Sequence, residues 1–449
     1  MKKYDLLNDS PGKSLIFFAV PIILGNLFQQ FYNMADSIIV GRFIGEDALA
    51  AVGASYSLTT VFIMIAIGSG MGASVLISQF LGAKEYSKMK TSIYTALFSF
   101  LAVSIIMLVF GLIMKEKLMI LLNTPPNIFH DAVLYLEIYF IGLPFLFMYN
   151  VLSSIFNALG KSQIPLYLLI FSSILNIVLD LFFVINLHMG VAGVAIATVI
   201  AQGVSAVISF YILICTLRNY EVLSEYKKEY FNFSMLKKMV YIAVPSILQQ
   251  SIVSIGMLLV QSVVNTFGSS ALAGYSAGMR VESICIVPMI ATGNAISTYT
   301  AQNLGAGQIE RVRKGYHVAY GIITTFAVII CISLNLTYKQ IVSAFLSSSS
   351  GNEAFMVGSS YLKFISFFFV FIGLKSITDG VLRGSGDMVV FTFANLVNLG
   401  IRVFVAFRFA SVWGIEAVWY AVPMGWASNY IISFIRYSTG AWGKKSIIS

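Results

Sequence analysis

Three groups of polar residues interrupt otherwise apolar sequence: Gln29, Asn33 and Asp36; Asn176 and Asp180; Thr198 and Gln202. Spacings of three and four put the members of each group on one helical face. Together they offer two carboxylates, several amides and a hydroxyl. These are hard oxygen donors, suited to a proton or a small hard cation and not to a soft metal. An ionised Asp inside lipid costs at least about 2.5 kcal/mol, so Asp36 and Asp180 need water, a counter-charge or a bound cation. Two plainer roles stay open: Asp36 solvated near the headgroups, and Asp180 in a structural ion pair. No transition-metal pattern accompanies them. His130, His188 and His317 lack a second ligand at i+3 or i+4, and Cys215, Cys285 and Cys331 form no C-x-x-C pair and read as packing residues.

The elements that carry these groups are membrane helices. The chain has 449 residues, 58% hydrophobic and only 10% charged, with mean hydropathy +0.86. A soluble domain is about 25% charged. The apolar runs are continuous and 20–30 residues long, which excludes the alternating segments of a β-barrel. Twelve spans are expected: 14–41, 48–80, 91–114, 130–158, 163–187, 190–216, 236–266, 271–303, 313–337, 355–382, 388–410 and 414–437. The fold class is therefore an all-α polytopic membrane protein. The first run reads as a retained helix and not a cleaved leader, because MKKYDLLNDSPGKS mixes charge signs and the run lacks a small-residue exit. Within that helix Pro21 removes a backbone hydrogen bond and Gly25 follows one turn later, a bendable point and candidate hinge.

Orientation follows from Lys and Arg. The termini and even-numbered connections hold 19 of them, including Lys84, Lys88, Lys90, Lys161, Lys227, Lys228, Arg311 and Arg436. The odd connections hold five: Arg42, Lys115, Lys117, Lys339 and Arg408. Both termini should be cytoplasmic. The net charge of +9 then reflects cytoplasmic loops, and no nucleic-acid partner is expected.

The chain also repeats itself. Ser78-Gln79-Phe80-Leu81-Gly82-Ala83 returns as Ala301-Gln302-Asn303-Leu304-Gly305-Ala306, and Ala19-Val20-Pro21 returns as Ala243-Val244-Pro245. Two lobes of six spans are expected, 14–216 and 236–437, joined by a charged cytoplasmic linker at 217–235. An even number of spans gives both lobes the same topology.

These motifs, in this order, resemble the multidrug and toxic compound extrusion (MATE) family, and most closely its DinF/MepA-like bacterial branches. The resemblance runs from Pro11 to about Arg436. It rests on Ala19-Val20-Pro21 with Asp36, the two Gln-x-Leu-Gly-Ala segments, Asn157-Ala158-Leu159-Gly160, Asn176 with Asp180, Thr198, and Leu382-Arg383-Gly384-Ser385-Gly386-Asp387. It implies twelve helices in two pseudo-symmetric lobes and export of cationic amphipathic drugs in exchange for inward H⁺ or Na⁺. Asp36, Asn176, Asp180 and Thr198 match the family's amino-lobe cation site. A NorM-like acid in the seventh span is absent; Gln249, Gln250, Gln261 and Asn265 stand there instead.

Further residues are candidates for a substrate cavity: Gln29, Asn33, Ser153, Asn157 and Gln202 in the first half, Arg280, Glu282 and Asp379 in the second. Lys375 and Asp379, four apart, are placed to pair, whereas Arg280 and Glu282 are two apart and cannot face each other. The chain lacks G-x-x-x-x-G-K-[ST], since Gly12-Lys13-Ser14 and Gly160-Lys161-Ser162 have no earlier glycine in register, so an ATP-driven pump is excluded. No nucleophile–base pair or metal cluster points to an enzyme. A lipid or lipid-linked oligosaccharide flippase is the alternative reading, and it calls for more embedded basic residues. No cofactor is expected beyond the coupling ion, and the working unit is expected to be a monomer in the plasma membrane.

Overall fold

A computed structural model of the chain describes residues 5–220, 229–345 and 352–448. No strand occurs among them. The helices are α1 (Pro11–Phe43), α2 (Glu46–Gly82), α3 (Tyr86–Leu121), α4 (Pro126–Ala158), α5 (Gln163–Leu181), α6 (Gly190–Leu217), α7 (Phe233–Asn265), α8 (Ser269–Cys285), α9 (Val287–Gly305), α10 (Ile309–Phe345), α11 (Asn352–Ser366), α12 (Phe369–Ser385), α13 (Met388–Trp413) and α14 (Glu416–Ser438). Ten spans among the described residues are long and apolar enough to cross a membrane, with α8 and α9 forming one of them as Ser269–Gly305. The bent pair α11–α12, meeting at 52°, makes an eleventh. Helix α14, 23 residues long, falls short of that apolarity and makes a twelfth by length alone. This is an all-α polytopic membrane protein, and most helices run beyond the hydrophobic stretches that mark them in sequence.

The breaks have local causes. Pro288 cannot donate a backbone hydrogen bond, and the chain changes helix at Ile286 just before it. Immediately after Asp180 the backbone widens into a π-turn at Phe182–Asn186, closed by Leu187 N–H donating to the Phe182 carbonyl at 3.2 Å. Such turns recur at functional sites because they re-aim neighbouring side chains.

Two compact units emerge: one from residues 24–247, the other from 5–23 together with 248–448. The sequence places the division in the connection at 217–235, of which 221–228, with Lys227 and Lys228, lies outside the described residues. The units divide instead within α1 and α7, close to Pro21 and Pro245. Packing explains this. A Cβ on Gly72 of α2 would stand 2.5 Å from the Met239 carbonyl, and one on Gly68 would stand 2.7 Å from the Ile247 backbone nitrogen. This small-x-x-x-small pair lets the first half of α7 lie directly on α2, as small residues do between membrane helices. Asn232 N–H also donates to Thr95 Oγ1 at 3.0 Å, and Thr91 Oγ1 donates to the Glu229 carbonyl at 3.0 Å. In the other unit Asn303 Nδ2 and Arg311 NH2 donate to the Leu6 carbonyl at 3.2 and 3.1 Å. Each segment leading into α1 or α7 is thus tied to helices of the opposite sequence half.

Within residues 24–247, α4 is the central helix. It packs on α2, α3 and α6, and Leu136, Phe140, Leu143 and Phe147 along it are fully buried. Phe140 fills the notch left by Gly111 and meets Phe62 edge-on at 5.2 Å. One reading of the cysteines changes: Cys215 is exposed on the lobe surface, whereas Cys331 packs beside Asn335 and Ser366.

Candidate functional site

Inside the amino-terminal unit, α1, α5 and α6 bring Asp36, Asn176, Asp180 and Thr198 together. Asp180 is 0% exposed and Asn176 1%, at mid-lobe on otherwise apolar helices. The amide orientation that satisfies both ends of Asn176 has Nδ2 donating to Asp180 Oδ2 at 2.8 Å, while Oδ1 accepts from the Thr198 backbone N–H at 3.1 Å. Its amide also lies 3.3 Å from Thr198 Oγ1. The Thr198 hydroxyl donates to the Val194 carbonyl at 3.1 Å. Asn176 is therefore a bridge fixing Asp180 on α5 against α6.

The half-buried Asp36 carboxyl stands beside that of Asp180, close enough to share a hydrogen bond. Each has one oxygen, Oδ1, that is buried with no protein partner. No Lys, Arg or His forms an ion pair with either among the described residues. Two bare carboxylates at such range repel by roughly 4 kcal/mol, taking 4 Å and an effective dielectric near 20. A shared proton, or a cation among the carboxylates, the Asn176 amide and the Thr198 hydroxyl, removes that repulsion.

Three tyrosines complete the enclosure, and sequence reasoning missed them. Tyr32 on α1 lies beside Thr198, and Tyr135 on α4 lies in the field of both aspartates. Tyr135 stacks on Tyr139 at 6.4 Å, and the Tyr139 hydroxyl is buried without a partner. A signal existed: Tyr32 precedes Asp36 by four, and Tyr135 and Tyr139 share a helical face at the same spacing.

The other amino-half candidates fall at different levels. Gln29 Nε2 donates to Asn33 Oδ1 at 3.1 Å on α1, leading up to Asp36. Gln202 is one turn along α6 from Thr198. Ser153 and Asn157 are 14 and 18 residues beyond Tyr139, or about 21 and 27 Å along a straight helix. They are not part of the aspartate cluster, although Ser153 Oγ and Asn157 Oδ1 are both buried and unpartnered.

In the carboxy-terminal unit the candidates separate. Arg280 is exposed, while Glu282 is buried and accepts the Tyr361 hydroxyl. Lys375 and Asp379 do pair, at 3.0 Å and nearly buried. Asp379 also accepts Ser433 Oγ at 2.8 Å and Asn395 Nδ2 at 3.3 Å. Both of its oxygens are engaged within the lobe, Oδ2 by Lys375 and Asn395 and Oδ1 by Ser433.

The comparisons with known proteins agree with the duplicated architecture. The family model MatE matches residues 21–182 and again 245–407. The chain is 30% identical to the probable multidrug resistance protein YpnP of Bacillus subtilis (strain 168), over 98% of each chain. It is 23% identical to the multidrug export protein MepA of Staphylococcus haemolyticus (strain JCSC1435), over 95% of this chain and 93% of that one. It shares its fold with a solved multidrug resistance MATE family transporter of the MOP superfamily in an outward-facing conformation, at TM-score 0.90, 24% identity and 99% coverage of each chain. With one family model matching both sequence halves and a full-length relative at 30% identity, this chain belongs to the MATE family, in its MepA-like bacterial group.

Proposed function

We propose that this chain is a multidrug efflux transporter of the bacterial plasma membrane, exporting cationic amphipathic compounds in exchange for inward H⁺ or Na⁺. Members of the family are transporters and not enzymes. The observation that carries the antiport reading is the Asp36–Asp180 pair: two buried carboxyls side by side, each with an unpartnered oxygen and neither with a basic side chain. The pair is most stable when a cation is bound. A cationic drug held by the same negative charge competes with that cation, and competition at shared charge is the simplest form of exchange.

In this mechanism the bound H⁺ or Na⁺ relieves the repulsion between α1 and α5, and α1 bends at Pro21 and Gly25 toward the site that the drug has left. Asn176 and Thr198 hold Asp180 in place, so Asp36 is the carboxylate that moves. A charge crossing 100 mV is worth roughly 2.3 kcal/mol and a tenfold pH difference about 1.4 kcal/mol. Together they are comparable with the roughly 4 kcal/mol of carboxylate repulsion. Aromatic and Met side chains, abundant with 36 Phe and 18 Met, suit apolar cations of varied shape.

The test is export of a fluorescent cationic dye from vesicles with pH and Na⁺ gradients imposed one at a time. At least one gradient should drive export; dye movement indifferent to both would refute antiport. The same reading puts both termini in the cytoplasm, on the 19-to-5 distribution of basic residues. A cysteine introduced at Ser87 should resist an impermeant thiol reagent added outside intact cells, and one at Asn127 should react, in a background with Cys215, Cys285 and Cys331 replaced. The reverse pattern would invert the topology. Both halves lie in one chain, so a single chain is expected to work alone.

A further inference from the structure

The duplication extends to the residues of the site, and there it reverses charge. The stretch Leu175-Asn176-Ile177-Val178-Leu179-Asp180-Leu181-Phe182 meets Val397-Asn398-Leu399-Gly400-Ile401-Arg402-Val403-Phe404 at a shift of 222. Tyr135-Leu136-Glu137 meets Tyr361-Leu362-Lys363 at a shift of 226. Asn398 therefore stands where the amino half has Asn176, and Arg402 stands where it has Asp180. Both pairs are i,i+4 neighbours on one face of an apolar helix.

In the carboxy-terminal unit these residues converge. Asn398 and Arg402 on α13 face α14, where a Cβ on Gly425 would stand 2.4 Å from Asn398 Oδ1 and 2.6 Å from Arg402 Cγ. Tyr361 lies 5.1 Å from Tyr275 and 6.2 Å from Trp419 between ring centroids. Glu282 and Tyr275 both lie in the field of Arg402. All six side chains are more than nine-tenths buried. Yet Arg402 Nε, Trp419 Nε1, the Tyr275 hydroxyl and Asn398 Oδ1 have no hydrogen-bond partner. Arg402 forms no ion pair within 4.0 Å among the described residues, and Glu282 is engaged by Tyr361.

A buried guanidinium with Glu282 in its field but no carboxylate in contact is costly, as is each unmade buried hydrogen bond. A planar anion answers the charge and the three donors, because guanidinium, indole N–H and phenol O–H all donate and a carboxylate accepts several at once; the Asn398 Oδ1 acceptor is not served by it. We propose that the carboxy-terminal lobe holds a buried site for a carboxylate group, built on Arg402 with Trp419 and Tyr275, as the charge-reversed duplicate of the amino-terminal cation site. It goes beyond antiport of cations: compounds carrying a carboxylate become ligands of this lobe in their own right.

The probe is benzoate, titrated into the purified full-length protein in neutral detergent, with benzamide as the uncharged isostere. Saturable benzoate binding is expected, and benzamide should bind at least tenfold more weakly. Arg402→Gln should weaken benzoate at least tenfold. Trp419→Phe, which keeps the ring and deletes only the N–H, should weaken it about threefold and covers the case that Arg402→Gln fails to fold. Lys363→Gln, an exposed cation of the same lobe, should leave it unchanged. Absence of saturable binding, equal affinity for benzamide, wild-type affinity in both Arg402→Gln and Trp419→Phe, or an equal loss in Lys363→Gln would each overturn the site. The assay reads no transport, so its outcome is independent of the coupling reaction at Asp36 and Asp180.

Discussion

Asp180→Asn and Asp36→Asn are each expected to lower gradient-driven dye export at least tenfold, to the level of membranes without the protein, while leaving an inserted and folded chain. With one carboxylate gone, the survivor has no like charge beside it, and the roughly 4 kcal/mol of repulsion that a bound cation relieves disappears. Binding the cation then no longer changes the preferred separation of α1 and α5, and the gradient has nothing to act on. The fold should survive because neither carboxylate neutralises a buried base, and an unpaired buried charge is a burden on stability. Asp180→Asn also keeps its geometry, since an amide oxygen still accepts from Asn176 Nδ2 at the 2.8 Å position. Asp36→Glu, which restores the charge with one more methylene, should recover part of the export. Wild-type export in both neutral variants would move the coupling site elsewhere.

The second large effect concerns stability and lies in the other unit. Lys375→Met should destabilise the protein by about 3 kcal/mol, because it removes the only cation in contact with the buried Asp379 among the described residues and leaves it in the field of Arg383 alone. Asp379 cannot escape to solvent, since Ser433 and Asn395 hold both of its oxygens inside. The double variant Lys375→Met with Asp379→Leu should regain most of the loss, as buried pairs replaced by apolar residues of similar volume are often neutral. Thermal unfolding in detergent reads this as a fall of several degrees for the single change, largely recovered in the double. A single variant as stable as the wild type would mean that Asp379 already carries a proton or is reached by water.

How much of this was legible in sequence depended on the reach of each signal. Intramembrane Asp36 and Asp180 stood out because charge in lipid is expensive, and the i,i+4 rule tied Asn176 to Asp180 and Lys375 to Asp379. The spans followed from hydropathy. Tyr32, Tyr135 and Tyr139 carry only a weak signal, their spacing of four, since tyrosines in apolar helices are common and packing decides which ones surround a carboxylate. The division of packing within α1 and α7 is hidden in sequence for a similar reason. A charged linker is visible as composition, whereas the seating of α7 on Gly68 and Gly72 of α2 is a long-range fit between residues some 170 apart. Ser153 and Asn157, candidates for the substrate cavity, stand apart from the aspartates because of the length of α4 between them and Tyr139.

Exchange through shared charge has a thermodynamic signature that needs no transport. Reciprocity requires that cation binding weaken drug binding by the factor with which drug binding weakens cation binding. The most direct measurement is the equilibrium affinity of the purified protein for a cationic dye, over a range of pH without Na⁺ and over a range of Na⁺ at fixed pH. Competition by one proton raises the apparent Kd by up to about tenfold per pH unit on the acid side of the site's titration. Asp36→Asn should flatten most of that dependence, and Pro21→Ala should keep it while slowing transport, because it stiffens α1 without touching the carboxylates. The account predicts a dye Kd that climbs as pH falls or as Na⁺ rises; a wild-type Kd indifferent to both would contradict it.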